Sequence, residues 1–424
     1  MTSKQRFQHN DEAYVWVWLP KATQPIVAGR LAKYGDRYQF NYGSSYLENP
    51  AALPLNPREL PLRKGVLDLT TGLNMPGTIR DGAPDAWGRR VIMNRLLGSA
   101  ARQQDTATFD ELTYLLASAS DRIGALDFQL SPTEYIARAE QNASLEELLE
   151  AAERVEQGRP LAPDLAAAIF HGTAIGGARP KALIQSNDRK YVAKFSSSTD
   201  LYSVVKAEFV AMRLAEHVGL TVAPVKLECA AGRDVLLVER FDRECTAAGW
   251  LRKPMVSALT LLELDELMAR YASYEHLAEI IRLEFAEPEA NLRELFSRLV
   301  FNILCGNTDD HARNHAALLF RNGDSEEFTL APAYDICPQA RAGNEASQGM
   351  LITGNDRSSR LATCIRSAHV YLLSQTEAEG IVEKQLEVIH KQWQSVCDVA
   401  QLSELDRQLL WRRQFLNPSI FEVN

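Results

Sequence analysis

Apolar positions in the first third of the chain recur with the two-residue period of strands. Tyr14–Leu19 has the aromatic and β-branched content of a strand. The alternating stretches Ile26–Leu31 and Tyr38–Tyr42 flank Gly35-Asp36, a hairpin signature. Prolines at 50, 54, 57, 61 and 76 then deny the backbone a continuous helix and predict extended connections in a small β-rich unit. The period changes at Asp81–Leu97, where Trp87, Val91 and Leu96 mark one helical face behind Asp85, a residue suited to cap a helix. Two further helices are expected around Phe109–Ala117 and Leu145–Glu156, the second opened by a capping box of Ser144 and Glu147.

From Gly172 the pattern shifts again. A glycine pair, Gly176-Gly177, precedes a strand, and Tyr191–Phe195 reads as a second. The helix Val204–His217 follows, then strands at Val222–Glu228 and Val235–Phe241. Strand, strand, helix, strand, strand is the order of the nucleotide-binding small lobe of protein kinases. Beyond about Leu259 the pattern is mostly helical and closes with Ala378–Val399 and Ser403–Phe415. There is no internal repeat and no low-complexity segment. The expected division is a β-rich N-terminal segment over 1–105, a small lobe over 106–245 and a helical large lobe over 246–424.

Composition narrows the class. At 424 residues, 46% hydrophobic and 24% charged, the chain suits two or three globular domains. A net charge of −9 argues against the whole molecule as an electrostatic match for nucleic acid. The six cysteines are scattered without a C-x-x-C pair, as in a reduced cytoplasmic protein. The polar start Met1–Asp11 has no signal core, and no apolar run reaches membrane-spanning length. A cytoplasmic protein is expected.

The densest chemistry lies in Asn302–His315. Asp309 and Asn314 have the D-x-x-x-x-N spacing of a phosphotransferase loop, in which a carboxylate meets the acceptor hydroxyl and an amide oxygen reaches Mg²⁺. Asp335 is the candidate for a second metal ligand. Two other readings stand beside this one. His311 and His315, four apart, suit zinc on a helix, although Gly306, Asn307 and Asn314 favour a loop. The stretch also reads as a solvated turn before the strand His315–Phe320. In the small-lobe region, Gly176 and Gly177 suit a phosphate loop or an ordinary turn. Lys194, on an apolar strand, must snorkel or meet an anion such as phosphate, with Glu208 available as a partner. Leu236–Arg243 suits a hinge.

These motifs together resemble the HipA-type serine/threonine kinases, the toxin halves of bacterial toxin–antitoxin pairs. The resemblance runs through Tyr46-Leu47 with Leu60-Pro61-Leu62, Pro84–Arg90, Gly176–Ala182, Val238–Arg243, Asn307–Asn314 and Leu330–Asp335. It implies an α+β, two-lobed protein-kinase-like fold with a β-rich N-terminal extension and a mostly helical C-terminal lobe. It further implies that Asp309 is the catalytic aspartate and that Asn314 and Asp335 hold Mg²⁺; beside them, His311 is the candidate to orient the loop or steady the transferring phosphate. Gly176, Gly177, Lys181 and Lys194 would attend the ATP phosphates, and Glu239 and Phe241 the adenine through their backbone. The implied partners are a protein substrate, of the class of a translation factor or aminoacyl-tRNA synthetase, and a small DNA-binding helix-turn-helix antitoxin, with DNA reached only through it. One departure is visible. The family often carries a serine just before the glycine element, whose phosphorylation ejects the loop; here that position is Ala174, beside Thr173. Competing classes are a lipid or small-molecule kinase, which shares a D-x-H-x-x-N pattern, and a non-catalytic corepressor on a kinase fold.

Overall fold

The hairpin expected at Gly35-Asp36 is formed in the computed structural model, which describes residues 10–138, 143–159, 161, 163–170, 173, 179–197, 200, 202–323, 325–341, 343 and 345–422. Strands β2 (Ile26–Tyr34) and β3 (Arg37–Tyr42) pair antiparallel with Tyr34 opposite Arg37, and Gly35 takes the positive φ of 61° that the tight turn needs. β1 (Glu12–Val17) pairs with β2 on one side and with β4 (Leu126–Gln129) on the other, giving the order β3-β2-β1-β4. β4 has no alternation to betray it, because all four of its residues are buried. Asp127 is tolerated there by two cations, Arg122 at 2.8 Å and Arg138 at 2.5 Å.

The chain divides into two compact units, the first holding residues 1–183 with 244–254 and the second the rest. In the first unit the helices follow the sequence closely. Asp85 caps Ala86–Leu97 by accepting from the Gly88 N–H at 2.9 Å, and Trp87 and Val91 face inward. Leu145–Glu156 opens with the Ser144–Glu147 capping box, a device worth about 1 kcal/mol. The helix Glu111–Ala117 sends Leu112 and Leu115 into the core shared by Val15, Phe40 and Phe128. Residues 106–183, expected as part of a kinase small lobe, fall in the first unit.

A sheet of order β5-β6-β8-β7 is built from β5 (Lys181–Ser186), β6 (Arg189–Phe195), β7 (Val225–Ala230) and β8 (Arg233–Glu239), and from Ile184 onward its residues belong to the second unit. The helix Val204–His217 joins β6 to β7, with ten of its fourteen residues buried. The chain next forms a hairpin, β9 (Arg243–Thr246) and β10 (Gly249–Arg252), most of it in the first unit, where Arg252 lies over the Trp18 ring at 3.4 Å. Back in the second unit, β11 (Met255–Ser257), β12 (Ala316–Asn322) and β13 (Ser325–Leu330) make a three-stranded sheet inside a region that the sequence pattern reads as mostly helical. Its helices include Tyr274–Glu284, Pro288–Cys305 and Gln375–Val399, packed in one apolar core around Leu295, Phe296, Phe301 and Trp393. The expected helix Ser403–Phe415 is shorter, Glu404–Leu410, because the chain turns through a left-handed Arg412 at φ 58°. Among the described residues, no helix is long and apolar enough to cross a membrane.

Candidate active site

Lys194 stands on β6 between the buried Ala193 and Phe195, opposite Leu236 of β8, so its ammonium has little strand polarity to meet. Two carboxylates from other elements reach it. Glu208, from the helix Val204–His217 and only 6% exposed at its side chain, accepts from Nζ at 2.5 Å. Asp335, after β13, accepts from the same nitrogen through Oδ1. Burial alone would push the lysine pKa down, but Asp335 and Glu208 hold it above the ordinary value. Asp335 is left-handed at φ 58°, a conformation costing a non-glycine residue roughly 1–2 kcal/mol. The approach to it is fixed by backbone bonds: Ala333 donates to Thr221 at 2.8 Å, and Ala223 donates back to Ala333 at 2.9 Å. The Tyr334 hydroxyl donates to the Arg313 carbonyl at 2.7 Å, which ties the segment to the loop carrying Asp309.

That loop begins where the helix Pro288–Cys305 is stopped by Gly306. Its φ is 73°, and a Cβ there would lie 2.6 Å from the Gln414 carbonyl, so glycine is required twice over. The Asn307 amide N–H donates to Asn302 at 2.8 Å and its side chain to the Asn302 side chain at 3.0 Å, turning the chain sharply. From there the chain runs as a loop closed by the short 3₁₀ turn Ala312–Asn314, so His311 and His315 do not share a continuous helix. The neighbours Asp309 and Asp310 part company: Asp309 is exposed and Asp310 is 1% exposed. Partial desolvation raises the Asp309 pKa; His311 opposes the rise, and the charges of Asp335 and Asp310 add to it. The Asn314 amide nitrogen donates to the Asp309 carbonyl at 3.2 Å, so its oxygen is the atom suited to a cation. His315 Nε2 is engaged with Asp310 at 2.8 Å. Among the described residues, no three His, Cys, Asp or Glu side chains form a group that could hold a metal ion.

Phe241 and Glu239 lie where β8 leaves the sheet. The Glu239 N–H donates to the Pro224 carbonyl at 2.8 Å. In an antiparallel pair the return bond would come from the N–H of residue 224, which proline lacks. The Glu239 carbonyl therefore ends the ladder without a donor from that neighbour. The Glu239 carboxylate pairs with Arg189. The Phe241 ring packs 5.7 Å from that of Tyr334, joining the exit of β8 to the Asp335 segment. Next in the chain, Asp242 takes Arg240 at 2.7 Å and Arg243 at 2.9 Å, all three buried.

Lys194, Glu239, Phe241, Asp309, His311, Asn314 and Asp335 thus all belong to the second unit. Lys181 belongs to the first, where it is buried, 3.5 Å from the Asp85 carboxylate, with its carbonyl accepting from the Trp87 indole at 3.2 Å. Gly176, Gly177 and Ala174 lie outside the described residues. Thr173 is fully buried in the first unit: its hydroxyl donates to the Phe170 carbonyl at 2.7 Å and accepts from the Ala119 N–H at 3.2 Å. Sequence reasoning did not find the contact of Asp310 with Tyr274 and His315, since 36 residues separate Tyr274 from Asp310. Nor did it find Pro224, whose meaning needs the β7–β8 register.

The order of sheet, lysine strand, glutamate helix, hinge, loop and distal carboxylate defines a kinase-like α+β fold. Residues 17–129 match the HipA N-terminal domain and residues 173–393 the HipA-like C-terminal domain, and the chain belongs to the HipA family. Among solved structures, HipA of Shewanella oneidensis MR-1, from a complex with HipB and operator DNA, has the same fold, with a TM-score of 0.64. The match covers 94% of this chain and 98% of that one at 17% identity. The kinase-named protein Y4mE of Sinorhizobium fredii is 31% identical over 150 residues, 34% of this chain and 33% of its own. A kinase-named protein of Haemophilus influenzae is 25% identical over 183 residues, 39% of this chain and 52% of its own. The chain spans about a third and about half, respectively, of the lengths of these two curated relatives.

Proposed function

We propose that the protein is a serine/threonine protein kinase that uses ATP and Mg²⁺ and acts as the growth-inhibiting toxin of a toxin–antitoxin pair. The observation that carries the reading is Lys194 bonded at once to Glu208 and Asp335, in a unit whose loop also presents Asp309 and Asn314. A lysine held by one buried and one 43% exposed carboxylate is anchored by the first and sits against a candidate metal ligand through the second. Asn314 and Asp335 would hold Mg²⁺; an amide and a carboxylate oxygen are the hard donors this ion accepts alongside phosphate and water. The ion would supply neutralisation of phosphate charge. Lys194 binds phosphate oxygens, and the Glu239 carbonyl and the Phe241 backbone meet the adenine edge. Asp309 orients the acceptor hydroxyl and takes its proton, a task that its raised pKa favours; His311 steadies the loop.

The substrate is a protein, of the class of a translation factor or aminoacyl-tRNA synthetase, as family resemblance implies. The partner is a small DNA-binding antitoxin, supported by the HipB and operator DNA bound with the Shewanella HipA. The setting is cytoplasmic. Calorimetry with ATP, with and without Mg²⁺, tests the core of this reading. Binding strengthened by Mg²⁺ is expected, and Asp309→Asn should keep ATP affinity within about threefold while abolishing transfer of labelled phosphate. Folded protein that takes up no ATP under either condition is not a kinase.

A further inference from the structure

Asp310 and His315 directly follow Asp309 and Asn314, the two ends of the D-x-x-x-x-N stretch. They are bonded to each other, His315 Nε2 to Asp310 Oδ1 at 2.8 Å. A third residue closes the cluster: Tyr274, at the start of the helix Tyr274–Glu284, donates its hydroxyl to Asp310 Oδ2 and lies 3.2 Å from His315 Nε2. All three are at least nine-tenths buried. Burial keeps the Tyr274 proton in place, with the Asp310 charge adding to the effect, so the phenol is a donor. Burial works against the Asp310 charge, but His315 and Tyr274 hold its pKa below the usual carboxylate range. The cluster is thus a carboxylate clasped by two donors.

Each member is also fastened to the frame of the second unit. The Tyr274 N–H donates to Leu351 at 2.9 Å, and the His315 carbonyl accepts from Ala258 at 2.8 Å. At Gly349 a Cβ would lie 2.7 Å from the Asp310 carbonyl, so a neighbouring stretch of backbone lies flush against the loop at this residue. None of these side chains is given a task by the chemistry proposed above. An apolar trio of similar volume would fill the space without burying a charge. What the polar trio adds is geometry: it fixes the separation of Asp309 and Asn314, each one residue before a member of the trio.

We propose that Tyr274, Asp310 and His315 are positioning residues that clamp the ends of the loop and so set the span between the Asp309 carboxylate and the Asn314 amide oxygen. This rests on the kinase reading of Asp309 and Asn314. Slack in the clamp displaces the acceptor-binding carboxylate against the metal ligand while leaving the lysine and hinge contacts of the nucleotide intact.

The test compares His315→Leu, which removes the donor, with His315→Gln, which keeps an N–H at similar reach, in the full chain. His315→Leu should lower kcat about 10- to 100-fold, as expected for a displacement near 1 Å, and raise the Mg²⁺ concentration needed for half-maximal rate. Its ATP affinity should stay within about threefold, and His315→Gln should recover most of the rate. Amide exchange at Asn314, whose N–H is bonded to His311 at 2.8 Å, should quicken in the leucine variant and not in the glutamine one. Wild-type kcat and loop exchange in folded His315→Leu overturn the clamp, as does an equal loss of rate in both variants. If the wild type transfers no phosphate, the kinase reading falls and the exchange at Asn314 alone decides the clamp. If His315→Leu does not fold, Tyr274→Phe, which loses only a hydroxyl, is read by the same two measures: quickened exchange and lowered kcat support the clamp, and neither overturns it.

Discussion

Asp309 and Asp310 carry the same side chain one peptide apart, yet their surroundings move them in opposite directions. Asp310, buried between two donors, stays charged below the ordinary carboxylate range. Its folded pKa is depressed, so it adds stability above the unfolded value, about 3.9, and that stability is lost as pH falls through the lower folded value. Asp309 is raised, first by desolvation and then by the charges of Asp335 and Asp310, with His311 pulling the other way. A base must be ionised to accept a proton, so the acid limb of kcat should lie above the ordinary aspartate range. Replacing His311 with glutamine removes the opposing influence, and the limb should move to higher pH in a pH–rate profile. A limb that stays put or moves down would mean that Asp309 is not the titrating base. The sequence made both aspartates visible but did not distinguish their environments, because burial of Asp310 depends on Tyr274, a residue with no local signal.

Elements that carry their own periodicity were legible, and elements defined by neighbours were not. The helices Leu145–Glu156 and Val204–His217 fall where the sequence pattern puts them, since amphipathic spacing and a capping box are local. β4 and β13 were missed: the first is buried throughout, and the second is a short polar-rich strand made by pairing with β12. The hinge stands between these cases. Leu236–Arg243 was recognisable as a strand with a polar exit, but that the Glu239 carbonyl receives no N–H from residue 224 follows only from the β7–β8 register that sets Pro224 against it. Pro224→Ala would supply the missing N–H. The new ladder bond, worth about 0.5–1.5 kcal/mol, is largely offset by the more flexible unfolded chain, about 0.4–1 kcal/mol, so stability should change little. ATP affinity should fall roughly three- to tenfold, the reach of one competing hydrogen bond, with kcat at saturating ATP unchanged. Calorimetry and steady-state kinetics measure both; unaltered ATP affinity would mean that the Glu239 carbonyl does not meet adenine.

At the scale of the molecule, the question is how a kinase of the proposed kind would be kept silent. In the family that the motifs resemble, a serine before the glycine element takes phosphate, and a new charge of about −1.5 to −2 near neutral pH drives the loop out. Here position 174 is alanine and has no hydroxyl to modify. The adjacent Thr173 is the natural substitute by sequence, and the fold argues against it. Its hydroxyl is fully buried, donating to Phe170 and accepting from Ala119. Its backbone is pressed just as closely, since a Cβ on Gly88 would lie 2.1 Å from the Thr173 carbonyl. A phosphate could reach that oxygen only after its bond to the Phe170 carbonyl was given up and the hydroxyl came to the surface. Purified protein incubated with Mg·ATP should therefore show no phosphate on Thr173 by mass spectrometry and should keep its activity, leaving the partner or a different phosphosite to restrain it. Phosphate on Thr173 together with loss of activity would overturn this, and would require the segment around Phe170 and Ala119 to open in the working enzyme. The outcome separates silencing through Thr173 from silencing through the partner or another phosphosite.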